Sequence, residues 1–136
     1  MTKNNSKIWL SSPNMGGAEK DFVKQAFNKN WVAPVGPNID GFEKDICNHN
    51  NINHAAALSS GTSAIHLALI LIGVESGDEV LCSSFTFSAS ANPIRYQLAT
   101  PIFVDSEEET WNIDPVLLEK AIIDRTKNGN KPKALI

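Results

Sequence analysis

The sequence has few cysteines, no excess of basic charge and no long apolar run, and each absence excludes a class of protein. Cys47 and Cys82 are the only two cysteines, and they lack metal-ligand spacing, which favours buried thiols in a reducing cytoplasm over a zinc site or a disulfide. A formal net charge of −3 gives no basic surface for nucleic acid or an anionic membrane. The longest apolar stretch, Ala64–Ile72, is about half of a membrane span. We therefore expect a cytoplasmic globular protein that binds neither nucleic acid nor membrane.

Two common nucleotide-binding motifs are also missing. The chain has no Gly-x-x-x-x-Gly-Lys loop, and the small-residue turn Ser59–Ser63 contains one glycine where the dinucleotide motif Gly-x-Gly-x-x-Gly has three. These absences argue against a P-loop NTPase and against an NAD-binding domain. The polar N-terminus leads to no apolar signal core.

What the sequence does contain is an alternation of short apolar segments with helix-forming segments. Predicted strands cover residues 54–58, 79–82, 100–104 and 133–136. Predicted helices between them cover residues 64–72, 88–98 and a segment that begins at Pro115, with Asp114 as its cap. This order predicts an α/β fold with a mostly parallel sheet covered by helices on both faces.

The first 50 residues have a different organisation. A polar arm precedes two predicted helices, at residues 17–28 and 39–48, and Asn38 is the expected cap of the second. We therefore predict two regions, an N-terminal arm with its helices at 1–50 and the first part of a larger domain at 51–136. Because Lys133–Ile136 has the pattern of an opening core strand, we expect the chain to be the N-terminal part of a longer protein.

The turn Ser59–Ser63 is the strongest candidate for a binding site. It lies between a predicted strand and a predicted helix, where the first helical N–H groups have no internal partner and the helix dipole favours an anion. Phosphate is the usual ligand of such a turn. The alternative is an ordinary helix cap made by serine and threonine with no ligand.

Two further loops follow predicted strands, and ligands of parallel sheets bind at the carboxyl ends of strands. Phe85 and Phe87 in the first loop could stack on a flat ligand or belong to the core. Asp105 in the second could orient a ligand, although a turn-forming role is commoner. His54 and His66 are expected to be packing residues, and Glu107–Glu109 is expected to be a solvated loop.

Several segments, taken in order, resemble one family. They are Leu58-Ser-Ser-Gly-Thr-Ser-Ala-Ile-His-Leu-Ala-Leu69, Gly77-Asp-Glu-Val-Leu81, Ser84-Phe-Thr-Phe-Ser-Ala-Ser-Ala-Asn92, Pro101-Ile-Phe-Val-Asp105, and, earlier in the chain, Gly16-Gly-Ala-Glu19, Trp31 and Gly36-Pro37-x-x-x-x-Phe42-Glu43. Together they resemble the pyridoxal-phosphate-dependent nucleotide-sugar aminotransferases of the DegT/StrS group, which have the type I aspartate-aminotransferase fold.

The resemblance implies a cofactor site for pyridoxal 5'-phosphate (PLP). Gly61, Thr62 and Ser63 would hold its phosphate, and Phe87 would stack on its pyridine ring, which leaves Phe85 for the core. The loop Trp31–Pro37 would form part of the sugar side of the active site. Asn92 and Asp105 match recurrent family positions to which we assign structural roles.

The resemblance also implies what the chain lacks. The Schiff-base lysine and the carboxylate that pairs with the ring nitrogen come later in the family, so this chain contains no catalytic residue and we expect it to be inactive alone. The lysines near its end belong to a surface helix and loop: Lys120, Lys127, Lys131 and Lys133.

The implied parent is a homodimeric enzyme of polysaccharide biosynthesis that transfers an amino group from an amino acid, expected to be glutamate, to a keto group of a nucleotide-linked sugar. A sugar dehydratase of the same fold, with histidine in place of that lysine, and a non-catalytic module that binds a phosphorylated ligand remain alternatives.

Overall fold

The computed structural model describes Lys7, Trp9 and residues 11–136, which form two compact units divided between Ala57 and Leu58. The first unit contains two helices, α1 (Glu19–Asn28) and α2 (Pro37–Asn50). The second contains α3 (Gly61–Leu71), β1 (Glu79–Ser83), α4 (Ser88–Tyr96), β2 (Thr100–Val104), α5 (Pro115–Lys127) and β3 (Ala134–Leu135).

Short polar and glycine-rich segments begin the two helices of the first unit. The Glu19 carboxylate, in the first turn of α1, accepts the N–H groups of Gly16 and Gly17, which precede the helix. Helix α2 begins at Pro37 directly after Gly36. The predicted cap Asn38 is therefore wrong, because it lies within the helix, whereas proline suits the first helical position with its fixed φ and missing N–H.

The second unit is a three-stranded parallel sheet in the order β2-β1-β3. The connection through α4 joins β1 to β2, and the connection through α5 joins β2 to β3 across β1. Crossovers between parallel strands are right-handed, and these two run in opposite directions across the sheet. They therefore place α4 and α5 on opposite faces of the sheet. The predicted α/β fold with helices on both faces is confirmed.

The core lies between the sheet and the layer of α3 and α4. Val80 and Cys82 point to this side of β1 and are fully buried, together with Leu69 of α3 and Ile94 of α4. Because successive side chains of a strand point to opposite faces of the sheet, Glu79 and Leu81 point to the face that α5 covers. Burial raises the pKa of the Cys82 thiol, so this cysteine is a neutral core residue, as predicted.

Two expectations for the segment before β1 are wrong. Residues 54–58 form no strand, because none of them pairs with a described strand. The Ala57 N–H bonds instead to the Glu43 carboxylate at 2.8 Å. Helix α3 is not buried all round, since Leu69 is its one buried residue and Leu71 is 77% exposed. It begins at Gly61, three residues earlier than predicted, and the αL residue Gly73 follows its end as expected.

Candidate cofactor-binding site

The amino ends of α3 and α4 lie at the carboxyl edge of the sheet. Helix α3 leads into the start of β1 and α4 leaves from its end, and the two helices pack against each other. Their carboxyl ends meet at the opposite edge, where the Gly77 N–H donates to the Leu98 carbonyl at 3.3 Å. Both helices therefore direct their N-terminal N–H groups to the edge where ligands of parallel sheets bind.

Ser60 caps α3 and leaves its first donors free. The Ser60 Oγ accepts the Ser63 N–H at 3.2 Å. Gly61 and Thr62 occupy the first two helical positions, whose N–H groups have no intrahelical acceptor. Within the described part of the chain, neither N–H donates to another group. A Cβ built on Gly61 would meet nothing within 4 Å, so the space beside this helix end is open.

The hydroxyl groups of this turn form a small network. The Ser63 Oγ lies 3.2 Å from the Ser59 Oγ and 3.1 Å from the Ser60 Oγ. Thr62 and Ser63 are half-buried, whereas Gly61 is exposed. Rotatable hydroxyls beside two free N–H groups are a donor set that suits a phosphate.

Charge distinguishes α3 and α4 from the helices that begin with a carboxylate. Helix α1 has Glu19 and Asp21 in its first turn and α5 has Asp114 at its N-cap, while α3 and α4 have no acidic residue at the N-cap or in the first turn. The positive ends of these two helix dipoles are not neutralised by the chain itself. The amino ends of these two helices therefore favour an anion.

The two phenylalanines of the β1–α4 loop have different surroundings. Phe87 is the N-cap residue of α4 and is 80% exposed, and no aromatic ring packs against it within the described residues. Phe85 is 65% exposed and packs against Trp111, with ring centroids 5.4 Å apart. The assignment of Phe85 to the core is wrong, because it lies at the open edge of the sheet, where one other ring covers it.

A cavity of about 600 Å³ lies between the ends of β1 and β2, bordered by Ser84, Phe85, Asp105 and Trp111. The loops that follow these neighbouring strands lead to opposite faces of the sheet, which makes this cavity a topological switch point. Asp105 lies in a turn: its Oδ1 accepts the Ser106 N–H at 2.9 Å and the Ser84 hydroxyl at 3.0 Å. These bonds lower the pKa of Asp105.

The acidic loop is more ordered than the sequence indicated. The Glu107 carboxylate accepts the N–H groups of Glu109 at 2.6 Å and Thr110 at 2.8 Å, so it is a turn-forming residue. Hydrogen bonds from Thr110 and Glu109 lower the pKa of Glu107.

The sequence reasoning did not single out Trp111. Its position a few residues after the end of β2 was the one signal that could have indicated a role at this edge of the sheet. No group of acidic, histidine or cysteine side chains among the described residues could hold a metal ion.

The remaining candidates lie outside this site. His66 bonds to Gln97 at 2.6 Å and packs edge-on against Tyr96, which confirms its packing role, whereas His54 is exposed and has no such role. The four lysines at 120, 127, 131 and 133 are exposed on α5 and the loop after it, as expected. None of the described helices is long and apolar enough to cross a membrane.

Comparison with known proteins identifies this arrangement. The profile of the DegT/DnrJ/EryC1/StrS aminotransferase family matches residues 13–134. The chain belongs to this family. EpsN of Bacillus subtilis (strain 168), provisionally assigned as a PLP-dependent aminotransferase, is 50% identical over 130 residues, which are 96% of this chain and 34% of EpsN. The GDP-perosamine synthase of Caulobacter vibrioides is 40% identical over 121 residues, 89% of this chain and 33% of that enzyme.

A solved structure has the same fold. Spr1654 of Streptococcus pneumoniae, provisionally assigned as a sugar aminotransferase and solved in its PLP form, superposes with a TM-score of 0.75 at 32% identity, over 86% of this chain and 30% of that one. The chain thus spans about a third of the length of the relatives it matches.

The residues of this chain fit part of a PLP site. Two free N–H groups and adjacent hydroxyls suit the phosphate, and the exposed ring of Phe87 suits a flat heterocycle. No lysine lies among the residues of the α3 turn or the β1–α4 loop. The roles assigned to Gly61, Thr62, Ser63 and Phe87 stay predictions.

Proposed function

We propose that this chain is the N-terminal part of a PLP-dependent aminotransferase that acts on a nucleotide-linked sugar. The amino group would come from an amino acid, expected to be glutamate, and would replace a keto group on the sugar. Membership of the DegT/DnrJ/EryC1/StrS family supports this proposal, as does similarity to GDP-perosamine synthases and to a spore coat polysaccharide biosynthesis protein of Bacillus subtilis.

In this proposal the second unit is the first part of the PLP-binding domain. The N–H groups of Gly61 and Thr62 and the hydroxyls of Thr62 and Ser63 bind the cofactor phosphate, and the ring of Phe87 lies against the pyridine. When bound, PLP supplies an electron sink for proton removal at the carbon that carries the amino group. The lysine and the carboxylate that this chemistry needs would come from a later part of the full-length enzyme.

The whole enzyme is proposed to work in the cytoplasm as a homodimer. Two observations are compatible with a reducing compartment: both cysteines are free, and Cys82 is buried. Size-exclusion chromatography with light scattering of the full-length protein tests the dimer, and a monomer that retains full activity would refute it.

One observation carries the proposal most directly. The amino ends of α3 and α4 share the carboxyl edge of the sheet without a carboxylate at the N-cap or in the first turn of either helix, while α1 has acidic side chains in its first turn and α5 has Asp114 at its N-cap. An anionic, flat cofactor meets free donors from one helix and an exposed ring at the start of the other.

The test uses the full-length protein, purified with PLP and offered glutamate and a nucleotide-linked keto sugar. Amino-sugar formation together with a visible cofactor absorption band supports the proposal. Borohydride reduction followed by peptide mass spectrometry identifies the attached lysine. A protein that binds PLP but dehydrates the sugar is the dehydratase alternative, and a protein that shows no band and no borohydride adduct is a non-catalytic module.

A further inference from the structure

We propose that Asp105 and Trp111, which follow β2, are positioning residues for Phe87, which follows β1. They fix the loop Ser84–Phe87 before the cofactor arrives. This inference rests on the proposed function, because it assigns a supporting role to residues that would not touch the cofactor.

The first contact joins the beginnings of the two loops. The Ser84 N–H donates to the Val104 carbonyl at 2.9 Å and extends the pairing of β1 with β2 by one residue. The Ser84 hydroxyl then donates to the Asp105 Oδ1 at 3.0 Å. Asp105 is held in turn by the Ser106 N–H at 2.9 Å. The direction in which the β1 loop leaves the sheet is therefore fixed by the carboxylate of the residue that directly follows the neighbouring strand.

The second contact is aromatic. Phe85 and Trp111 lie 5.4 Å apart between ring centroids, with their planes inclined by 52°. Both rings are more than half exposed, and they pack against each other at this edge of the sheet. Tilted aromatic pairs at this separation are stabilised by the interaction between the rings as well as by the burial of their surfaces.

The support on the β2 side is itself constrained. The Asp114 N–H donates to the Asp105 carbonyl at 2.8 Å, which closes the loop that carries Trp111. Inside it, the Glu107 N–H donates to the Asn112 carbonyl at 2.9 Å. Trp111 has a left-handed backbone, with φ of 64°, which only a well-determined loop maintains in a bulky residue.

The far end of the β1 loop is fixed by the start of α4. The Thr86 Oγ1 lies 2.8 Å from the Ser90 Oγ, and the Ser90 N–H donates to the Phe87 carbonyl at 2.9 Å. The Phe87 carbonyl is thus held by α4 and the preceding residue by a side-chain hydrogen bond, while the Phe87 ring is 80% exposed. An exposed ring has few contacts of its own, so the loop must set its position. A ligand that meets a ring already in place loses less conformational entropy on binding.

The experiment uses the full-length protein and a double-mutant cycle. Asp105→Ala removes the acceptor, Asp105→Asn retains Oδ1 as an acceptor, and Glu108→Ala is the matched control, because Glu108 is an exposed carboxylate of the same loop. Each variant is made in the wild-type and in the Phe87→Ala background. The apo proteins are compared by hydrogen exchange of the peptide that covers residues 84–91, and then titrated with PLP.

The inference predicts faster exchange of this peptide in Asp105→Ala and a PLP affinity that is roughly three- to thirtyfold weaker, which lies within the range of coupling between neighbouring residues. Asp105→Asn should lie close to wild type, and Glu108→Ala should match it. In the Phe87→Ala background, Asp105→Ala should change affinity less than twofold. Trp111→Leu should behave like Asp105→Ala.

Two results would overturn the inference. One is an Asp105→Ala protein whose exchange and affinity match those of Glu108→Ala. The other is an equal loss of affinity in both backgrounds, which would mean that Asp105 acts without Phe87. If the wild-type protein binds no PLP, the proposed function fails by itself, and the exchange of the apo proteins still decides whether Asp105 orders the loop.

Discussion

The Arg125 guanidinium of α5 holds the Glu79 carboxylate of β1 through two nitrogens, with Nε at 2.8 Å from Oε2. Glu79 is 7% exposed and is the buried charged residue of the described core. The pair fixes α5 on the face of the sheet opposite α4, while the Lys133 N–H bonds to the Glu79 carbonyl at 2.8 Å and aligns β3.

Glu79→Gln should destabilise this unit by about 2 kcal/mol, the scale of hydrogen bonds to a charged group, because the amide cannot accept from both nitrogens of Arg125. Thermal or urea unfolding of the full-length protein measures the loss. Glu119→Gln, an exposed carboxylate change on α5, is the control and should be neutral. Equal stability of the two variants would mean that the ion pair contributes nothing.

Stability should fall in acid partly through the same residue. The hydrogen bond from Arg125 holds the pKa of Glu79 below its ordinary value of 4.5. A carboxyl group whose pKa is lower in the folded state stabilises the protein above its unfolded pKa, and that contribution disappears as the pH falls through the folded pKa. Below about pH 4.5, wild type should therefore lose stability more steeply than Glu79→Gln. Parallel pH profiles of the two unfolding midpoints would contradict this.

Asp114 should stabilise the start of α5. Its Oδ1 accepts the N–H groups of Val116 at 2.7 Å and Leu117 at 3.0 Å. Asp114→Ala should cost about 1 kcal/mol through loss of the cap, whereas Asp114→Asn keeps an acceptor and should cost a few tenths at most. Unfolding curves of both variants test the difference, and an alanine variant as stable as the asparagine variant would refute the cap.

Gly36 and Gly41 should respond in opposite directions to alanine. Gly36 has φ of +133°, and an added Cβ would lie 2.9 Å from the Trp31 Cε3, so Gly36→Ala should destabilise the start of α2 by about 1–3 kcal/mol. Gly41 lies inside α2 with open space around it, so Gly41→Ala should stabilise the helix by about 0.5–1 kcal/mol. A thermal midpoint that does not fall in Gly36→Ala would contradict the account of Gly36, and one that falls in Gly41→Ala would contradict that of Gly41.

The sequence predicted the parallel sheet and its helices well, because local signals coincide there. Asp114 before Pro115 marks a helix start that the structure confirms, and the apolar residues of β1 are buried as expected. The prediction that α3 is buried was wrong. An apolar run such as Ala64–Ile72 shows that the segment is apolar, but it does not show which faces of the helix pack against other elements.

The other errors concern pairing and loop geometry. Residues 54–58 can form a strand only if another strand pairs with them, and the pattern within one segment does not show whether such a partner exists. The contact of Phe85 with Trp111 depends on the closed loop after β2, which is set by hydrogen bonds of Asp105 and Glu107 that sequence spacing does not encode.

The most direct test of the central claim is a PLP titration of the apo form of the full-length protein. Thr62→Leu should weaken binding by about 1–3 kcal/mol, through loss of a hydrogen bond to a charged group, and Phe87→Ala should weaken it through loss of stacking. Thr126→Leu, a change at an exposed threonine of α5, should leave affinity unchanged. If Thr62→Leu and Phe87→Ala both bind PLP as tightly as Thr126→Leu does, the cofactor is not held between α3 and the β1–α4 loop.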